Sequence, residues 1–249
     1  SPYLVFDDAD LDSAVEGLVD AIWSNQGQVC CAGSRLFVQE GVAERFHQKL
    51  KARMDKLRIG DPLDKSIDVG AIVDPKQLQA ITQIVEEGLK EGGNRHTCPA
   101  ELPSIGCFYP PTLITEVDPA CQLMQEEIFG PVLPVITWES QKEAVAIIVK
   151  NPYPLALYIF SSKAKNIDWF IDNTQAGSTA INEVVIQVAN SDLPFGGIQS
   201  SGMGRSGGQA NFDSFSNLRS FVVQTLPFSL LPLTFPPFNR LGLSFSRIV

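Results

Sequence analysis

The segment Asn25-Gln26-Gly27-Gln28-Val29-Cys30-Cys31-Ala32-Gly33-Ser34-Arg35 holds the residues best suited to covalent chemistry. A thiol there follows a glycine-bearing helix end and precedes a new turn. At a helix N-terminus a thiolate is stabilised by unpaired backbone N–H groups and by the helix dipole. The same N–H groups can hold the oxyanion that forms on a carbonyl attacked by the sulfur. The residue types alone also allow a plainer reading, in which Cys30 and Cys31 are small core residues. His47 falls in an amphipathic helical pattern and His96 in a polar stretch, and neither has a neighbour that would make it a base. Five cysteines without CxxC spacing and two histidines give a zinc site no support. An adjacent pair such as Cys30-Cys31 would strain its own peptide on closing into a disulfide. Free thiols in a reducing, cytoplasmic compartment are therefore expected. Gly202-Met203-Gly204-Arg205-Ser206-Gly207 fits G-x-G-x-x-G, but Gln199-Ser200-Ser201 stands where that fingerprint needs an apolar strand, and no βαβ unit follows. Its glycines are expected to permit tight turns beside the reactive segment.

These side chains must be positioned by a chain of 249 residues, enough for one large domain or two small ones. A chain of this size buries roughly 70–75% of its unfolded surface, so neither disulfides nor metals are needed to hold it together. With 19 Lys+Arg against 28 Asp+Glu the net charge is −9, which argues against nucleic acid or an anionic membrane as partner. The apolar run Leu226–Phe238 carries Pro227, Pro232, Pro236 and Pro237. A membrane-spanning helix needs about 20 apolar residues and would be broken by them. Residues 1–225 are expected to form one domain, with 226–249 a Pro-rich apolar tail packed as an extended arm. The chain opens on Ser-Pro without a starting Met, so a fragment or one domain of a longer protein is expected.

Helical and strand patterns alternate along the domain. Asp8 or Asp10 can cap a helix in which Ala14, Val15, Leu18, Val19, Ile22 and Trp23 recur at three- and four-residue spacing. Arg35–Gln39 is strand-like, and Val42, Phe46, Leu50, Met54 and Leu57 then line one face of a helix ending at Gly60-Asp61-Pro62. A third helix covers about 75–91 with Gly92 as its stop, and 92–107 reads as loop. Strands are predicted at 108–116, 131–138, 155–161 and 178–182, and helices at about 141–150, capped by Ser140 with Glu143, and at 164–175. Strands separated by helices imply right-handed crossovers and an α/β fold, a mostly parallel twisted sheet with helices on both faces.

The reactive segment resembles, almost residue for residue, the active-site signature Phe/Trp-x-x-x-Gly-Gln-x-Cys-x-Ala-x-Ser-Arg of the aldehyde dehydrogenase superfamily. In that alignment the nucleophile falls on Cys30, the second residue after Gln28. Phe108-Tyr109-Pro110-Pro111-Thr112-Leu113 looks like the family's Pro-Thr strand, and Glu126-Glu127-Ile128-Phe129-Gly130-Pro131 matches its Glu-Ile-Phe-Gly-Pro motif. Gly177–Asn182 resembles the strand that ends in an asparagine near the active site, and Pro194–Gly204 the Pro-Phe-Gly-Gly-x-x-x-Ser-Gly loop. The likeness runs from Val5 to about Val223. Met124-Gln125-Glu126, Leu155-Ala156-Leu157-Tyr158 and Phe212-Asp213-Ser214-Phe215-Ser216 look most like the class 3 branch, which acts on fatty and aromatic aldehydes.

The resemblance implies that Cys30 attacks a small-molecule aldehyde and that NAD or NADP accepts hydride. It places Glu127 on the nicotinamide-ribose hydroxyls, Phe129 against the nicotinamide ring, and Asn182 and Phe195 on the substrate side. It assigns the general base to a glutamate in a Glu-Leu-Gly-Gly-Lys motif and most cofactor contacts to a Rossmann half, neither of which this sequence contains. The chain would then be the catalytic half, inactive by itself. The alternative is a non-catalytic binding or assembly module derived from such an enzyme. By analogy the full-length protein is a homo-oligomer, with a strand near Phe221-Val222-Val223 as a candidate for a shared sheet.

Overall fold

The structure, a computed structural model, describes residues 1–228. β1 (Pro2–Val5) leads to α1 (Leu11–Trp23), whose N-cap Asp10 accepts from the backbone N–H groups of Asp12 and Ser13. β2 (Arg35–Gln39) runs directly into α2 (Glu40–Met54). α3 (Pro75–Lys90) starts with proline at its first position and with Asp74 as cap. β3 (Asn94–Thr97), β4 (Thr112–Thr115), the single turn α4 (Gln122–Gln125) and β5 (Val132–Trp138) follow. α5 (Gln141–Ile148), β6 (Ala156–Phe160), α6 (Ala164–Asn173), β7 (Ser178–Ile181), the short α7 (Ile186–Ala189) and α8 (Gly208–Phe215) complete the elements.

The strands form one seven-stranded sheet in the order β3-β4-β5-β2-β1-β6-β7, parallel except for β3, which pairs antiparallel with β4. Alternate residues along each strand face opposite sides, so two cores result. Tyr3, Val5, Leu36, Val38, Tyr158 and Phe160 pack with α1 and α2. Leu4, Phe6, Phe37, Leu157 and Ile159 pack on the other face with α3, α4, α5 and α6. The expected α/β architecture, helices on both faces, is what the chain adopts. It divides into a compact unit, Ser1–Ser214, and a second from Phe215 onward, of which 215–228 are described. No described helix is long and apolar enough to cross a membrane. The expected arm at 226–249 lies almost wholly outside the described residues.

Several boundaries differ from expectation, each for a local reason. The second helix ends at Met54, before the expected stop at Gly60, because Leu57 N–H closes a tight turn onto Met54 O and the Arg58 guanidinium and backbone N–H bond Asp68. Strand pairing in 108–116 is confined to Thr112–Thr115, since Pro110 and Pro111 have no N–H to give. The expected loop 92–107 contains β3, which is polar throughout and is a strand only by virtue of its ladder to β4. β1, only four residues long and buried throughout, carries no alternation by which to recognise it. Residues 221–223 form no strand, and Phe221, Val222 and Val223 are exposed.

Ile81 lies fully buried on the inner face of α3. Ile81→Ala is expected to lower the unfolding free energy by about 2–5 kcal/mol, read from urea denaturation followed by tryptophan fluorescence.

Candidate active site

α1 ends in a local reversal of handedness. Asn25 (φ 48), Gln26 (φ 59) and Gly27 (φ 71) are consecutive left-handed residues, a conformation asparagine and glycine tolerate best. Asn25 braces the turn, its side-chain amide donating to Gln28 O at 3.0 Å while its own carbonyl accepts from Gln28 N–H. The chain then enters a β-turn, Val29–Ala32, closed by Ala32 N–H on Val29 O at 3.0 Å, and passes into β2. Cys30 is therefore in a turn and not at a helix N-terminus, which corrects the expected dipole stabilisation: the element that follows it is a strand.

The turn sorts the two adjacent thiols. Cys30 is exposed, while Cys31 is 2% exposed and burial pushes its thiol up. Burial pushes the thiols of Cys98 and Cys121 up as well. Cys30 opens into a cavity of about 370 Å³ whose lining includes Ser34, Arg35, Glu127, Tyr153, Ser200 and Ser201. Ser1, Arg35 and Leu155 place this cavity at the amino ends of β1, β2 and β6.

Glu127 is brought to Cys30 from a distant part of the chain. Gly27 packs so tightly on the Gly130 carbonyl that a Cβ at Gly27 would stand 2.2 Å from that oxygen. Trp23 Nε1–H donates to Pro131 O at 3.2 Å, and Arg35 donates to Glu126 O at 3.2 Å. From the other side the Gln77 amide of α3 donates to Ile128 O (2.9 Å) and Phe129 O (3.0 Å). Burial pulls the Arg35 guanidinium below its usual value, with the Glu127 charge opposing. Phe129 is left-handed (φ 49) and keeps its ring 38% exposed.

The structure thus brings Cys30 and Glu127 into one cavity, while Phe129, two residues further on, does not line it. Phe195 is half-buried in the loop whose Ser200 and Ser201 line the cavity; its N–H donates to Ser206 O at 2.7 Å. Asn182 is elsewhere. It follows the carboxyl end of β7, about 13 Å along the sheet from the amino edge. Its side chain there accepts from Ser161 N–H (3.0 Å) and donates to Ser161 O (2.9 Å). Asn182 does not line the Cys30 cavity. Sequence reasoning missed Arg35 as a site residue, although it closes the signature itself. It also missed Tyr158, whose hydroxyl reaches the reactive turn from β6. Among the described residues no cluster of His, Cys, Asp or Glu could hold a metal ion.

A parallel α/β sheet with an exposed thiol, an arginine and a glutamate converging at its amino edge defines a thiol-bearing α/β protein. Residues 1–221 match the aldehyde dehydrogenase family, and the chain belongs to that family. It is 36% identical over 224 residues to betaine aldehyde dehydrogenase of Cereibacter sphaeroides, an alignment covering 90% of this chain and 46% of that protein. It is 32% identical over 224 residues to the NADP+ succinate-semialdehyde dehydrogenase of Escherichia coli, again covering 90% and 46%. The crystal structure of an NAD-dependent aldehyde dehydrogenase from Sinorhizobium meliloti superposes with a TM-score of 0.86 at 32% identity, covering 92% of this chain and 46% of that one. The chain spans about half the length of these relatives.

Because both the positive φ and the contact with Gly130 exclude a side chain, Gly27→Ala is expected to cost about 2 kcal/mol or more. It should also raise amide hydrogen exchange across residues 126–131, measured by mass spectrometry.

Proposed function

We propose that this chain is the nucleophile-bearing part of an NAD(P)+-dependent aldehyde dehydrogenase that oxidises an aldehyde to a carboxylic acid. The observation that carries the reading is the exposed Cys30 thiol sharing a cavity with Glu127, while Cys31 is buried. Cys30, as thiolate, adds to the aldehyde carbon to form a C–S bond, giving a thiohemiacetal oxyanion. Loss of hydride from that carbon leaves a thioester on Cys30, and water then cleaves the C–S bond to release the acid and regenerate the thiol. A bound nicotinamide supplies the acceptor for the hydride.

The residues present fit the nicotinamide end of such a cofactor. The exposed Glu127 carboxylate can accept two hydrogen bonds from a ribose diol, and the partly exposed Phe129 ring offers an apolar face. Arg35 and Gln77 act by fixing the backbone that carries both side chains. Ser200 and Ser201 bring the loop after Phe195 to the substrate side. Asn182 is assigned the task of tying the ends of β6 and β7 together. Among the described residues Glu127 is the one carboxylate lining the cavity, so the proton-accepting group that activates water is supplied from outside these lining residues. Turnover therefore belongs to a longer protein.

Iodoacetamide labelling mapped by mass spectrometry tests the assignment. Cys30 should react about tenfold or more faster than Cys31, Cys98 and Cys121. Equal labelling of exposed and buried thiols would sink the nucleophile reading. With aldehyde and NAD(P)+ added, the chain alone is expected to yield no measurable NAD(P)H, and turnover by it would overturn the division of labour.

A further inference from the structure

We infer that Tyr158 is a positioning residue that decides which of the two adjacent thiols faces the cavity, by clamping the turn that carries them; its place in the reaction rests on Cys30 being the nucleophile. Tyr158 projects from β6 into the core with no exposure. Its hydroxyl donates to Cys31 O at 2.7 Å. The peptide joining Cys31 to Ala32 is thereby bonded at both ends, because Ala32 N–H closes the turn onto Val29 O. Hydrogen bonds in series through one peptide unit polarise and strengthen each other.

The clamp is itself held. Gln187 of α7, 6% exposed, donates from Nε2 to the Tyr158 oxygen at 3.3 Å. Val185 takes a left-handed φ of 57, unusual for a β-branched residue and sustained only where surroundings over-determine it. α7 leads into the loop that brings Ser200 and Ser201 to the cavity. One phenolic oxygen therefore joins the thiol-bearing turn to the segment preceding the opposite wall. With the Cys31 carbonyl pinned inward, the Cys31 side chain remains in the core and Cys30 remains outside.

Tyr158→Phe removes the donor and keeps the ring. Tyr3→Phe is its matched control, because Tyr3 is equally buried, lies 5.9 Å from Tyr158 between ring centroids, and spends its hydroxyl on Ala14 O at 2.7 Å, away from the turn. The readout is the iodoacetamide rate at each cysteine of the full chain. In Tyr158→Phe, labelling of Cys31 should rise about tenfold, while Cys98 and Cys121, buried elsewhere, stay within about twofold. Tyr3→Phe should leave Cys31 protected. The proposal is overturned if Cys31 stays protected in Tyr158→Phe, if Cys98 and Cys121 rise in step with it, or if Tyr3→Phe exposes Cys31 equally. A wild-type chain in which Cys30 is no faster than the other thiols overturns the nucleophile reading alone, since the clamp is read at Cys31.

Discussion

The contact on which the site depends is the approach of Gly27 to the carbonyl of Gly130. No Cβ fits at either residue: one on Gly27 would meet that oxygen at 2.2 Å, and one on Gly130 would meet Ile81 Cδ1 at 2.5 Å. Two backbones are thus pressed together with α3 behind them. The left-handed turn at 25–27 exists to make this approach, and Trp23 completes it through Pro131. Once the contact is made, the thiol-bearing turn and the Glu127 segment cannot move independently. Geometry between residues distant in sequence is in this way set by backbone packing, which is stiffer than any contact between long side chains.

How much of this was legible in the residues depends on whether the signal was local. Asp10 and Ser140 announced their helices because capping involves residues two or three apart. β2 and the parallel core strands β5 and β6 were legible as apolar runs. β3 was not, because Asn94-Arg95-His96-Thr97 has no strand character until β4 lies beside it. The segment 25–35 was recognisable by its resemblance to the family's cysteine signature. Its backbone was not: nothing in Asn-Gln-Gly distinguishes an ordinary helix stop from the left-handed turn that leads the chain from α1 toward β2.

Exposure was the least legible quantity. Cys30 and Cys31 are neighbours of identical type, and composition treats them alike. Their difference arises from a turn fixed by Tyr158, more than a hundred residues further along the chain, and no local pattern encodes it. Asn182 shows the same limit in reverse. The register of β7 on β6 carries it to the far edge, where Ser161 takes both ends of its amide.

That far edge bears on why the cavity is where it is. In open parallel sheets the crevice beyond the carboxyl ends of the strands is the customary ligand site. Here those ends are tied to one another: Ser161 Oγ donates to Asp8 at 2.8 Å, Lys163 lies 3.8 Å from the same carboxylate, and Asn182 bridges β7 to the end of β6. A smaller cavity of about 280 Å³, lined by Asp7, Gln39, Trp138 and Lys163 among others, still opens at that edge. At the amino edge the balance is different. The turn that delivers β2 exposes Cys30, the segment that delivers β5 exposes Glu127, and Arg35 secures the backbone between them. The reactive groups are carried by the chain just before it enters two neighbouring strands, so the register of β2 on β5 fixes their spacing.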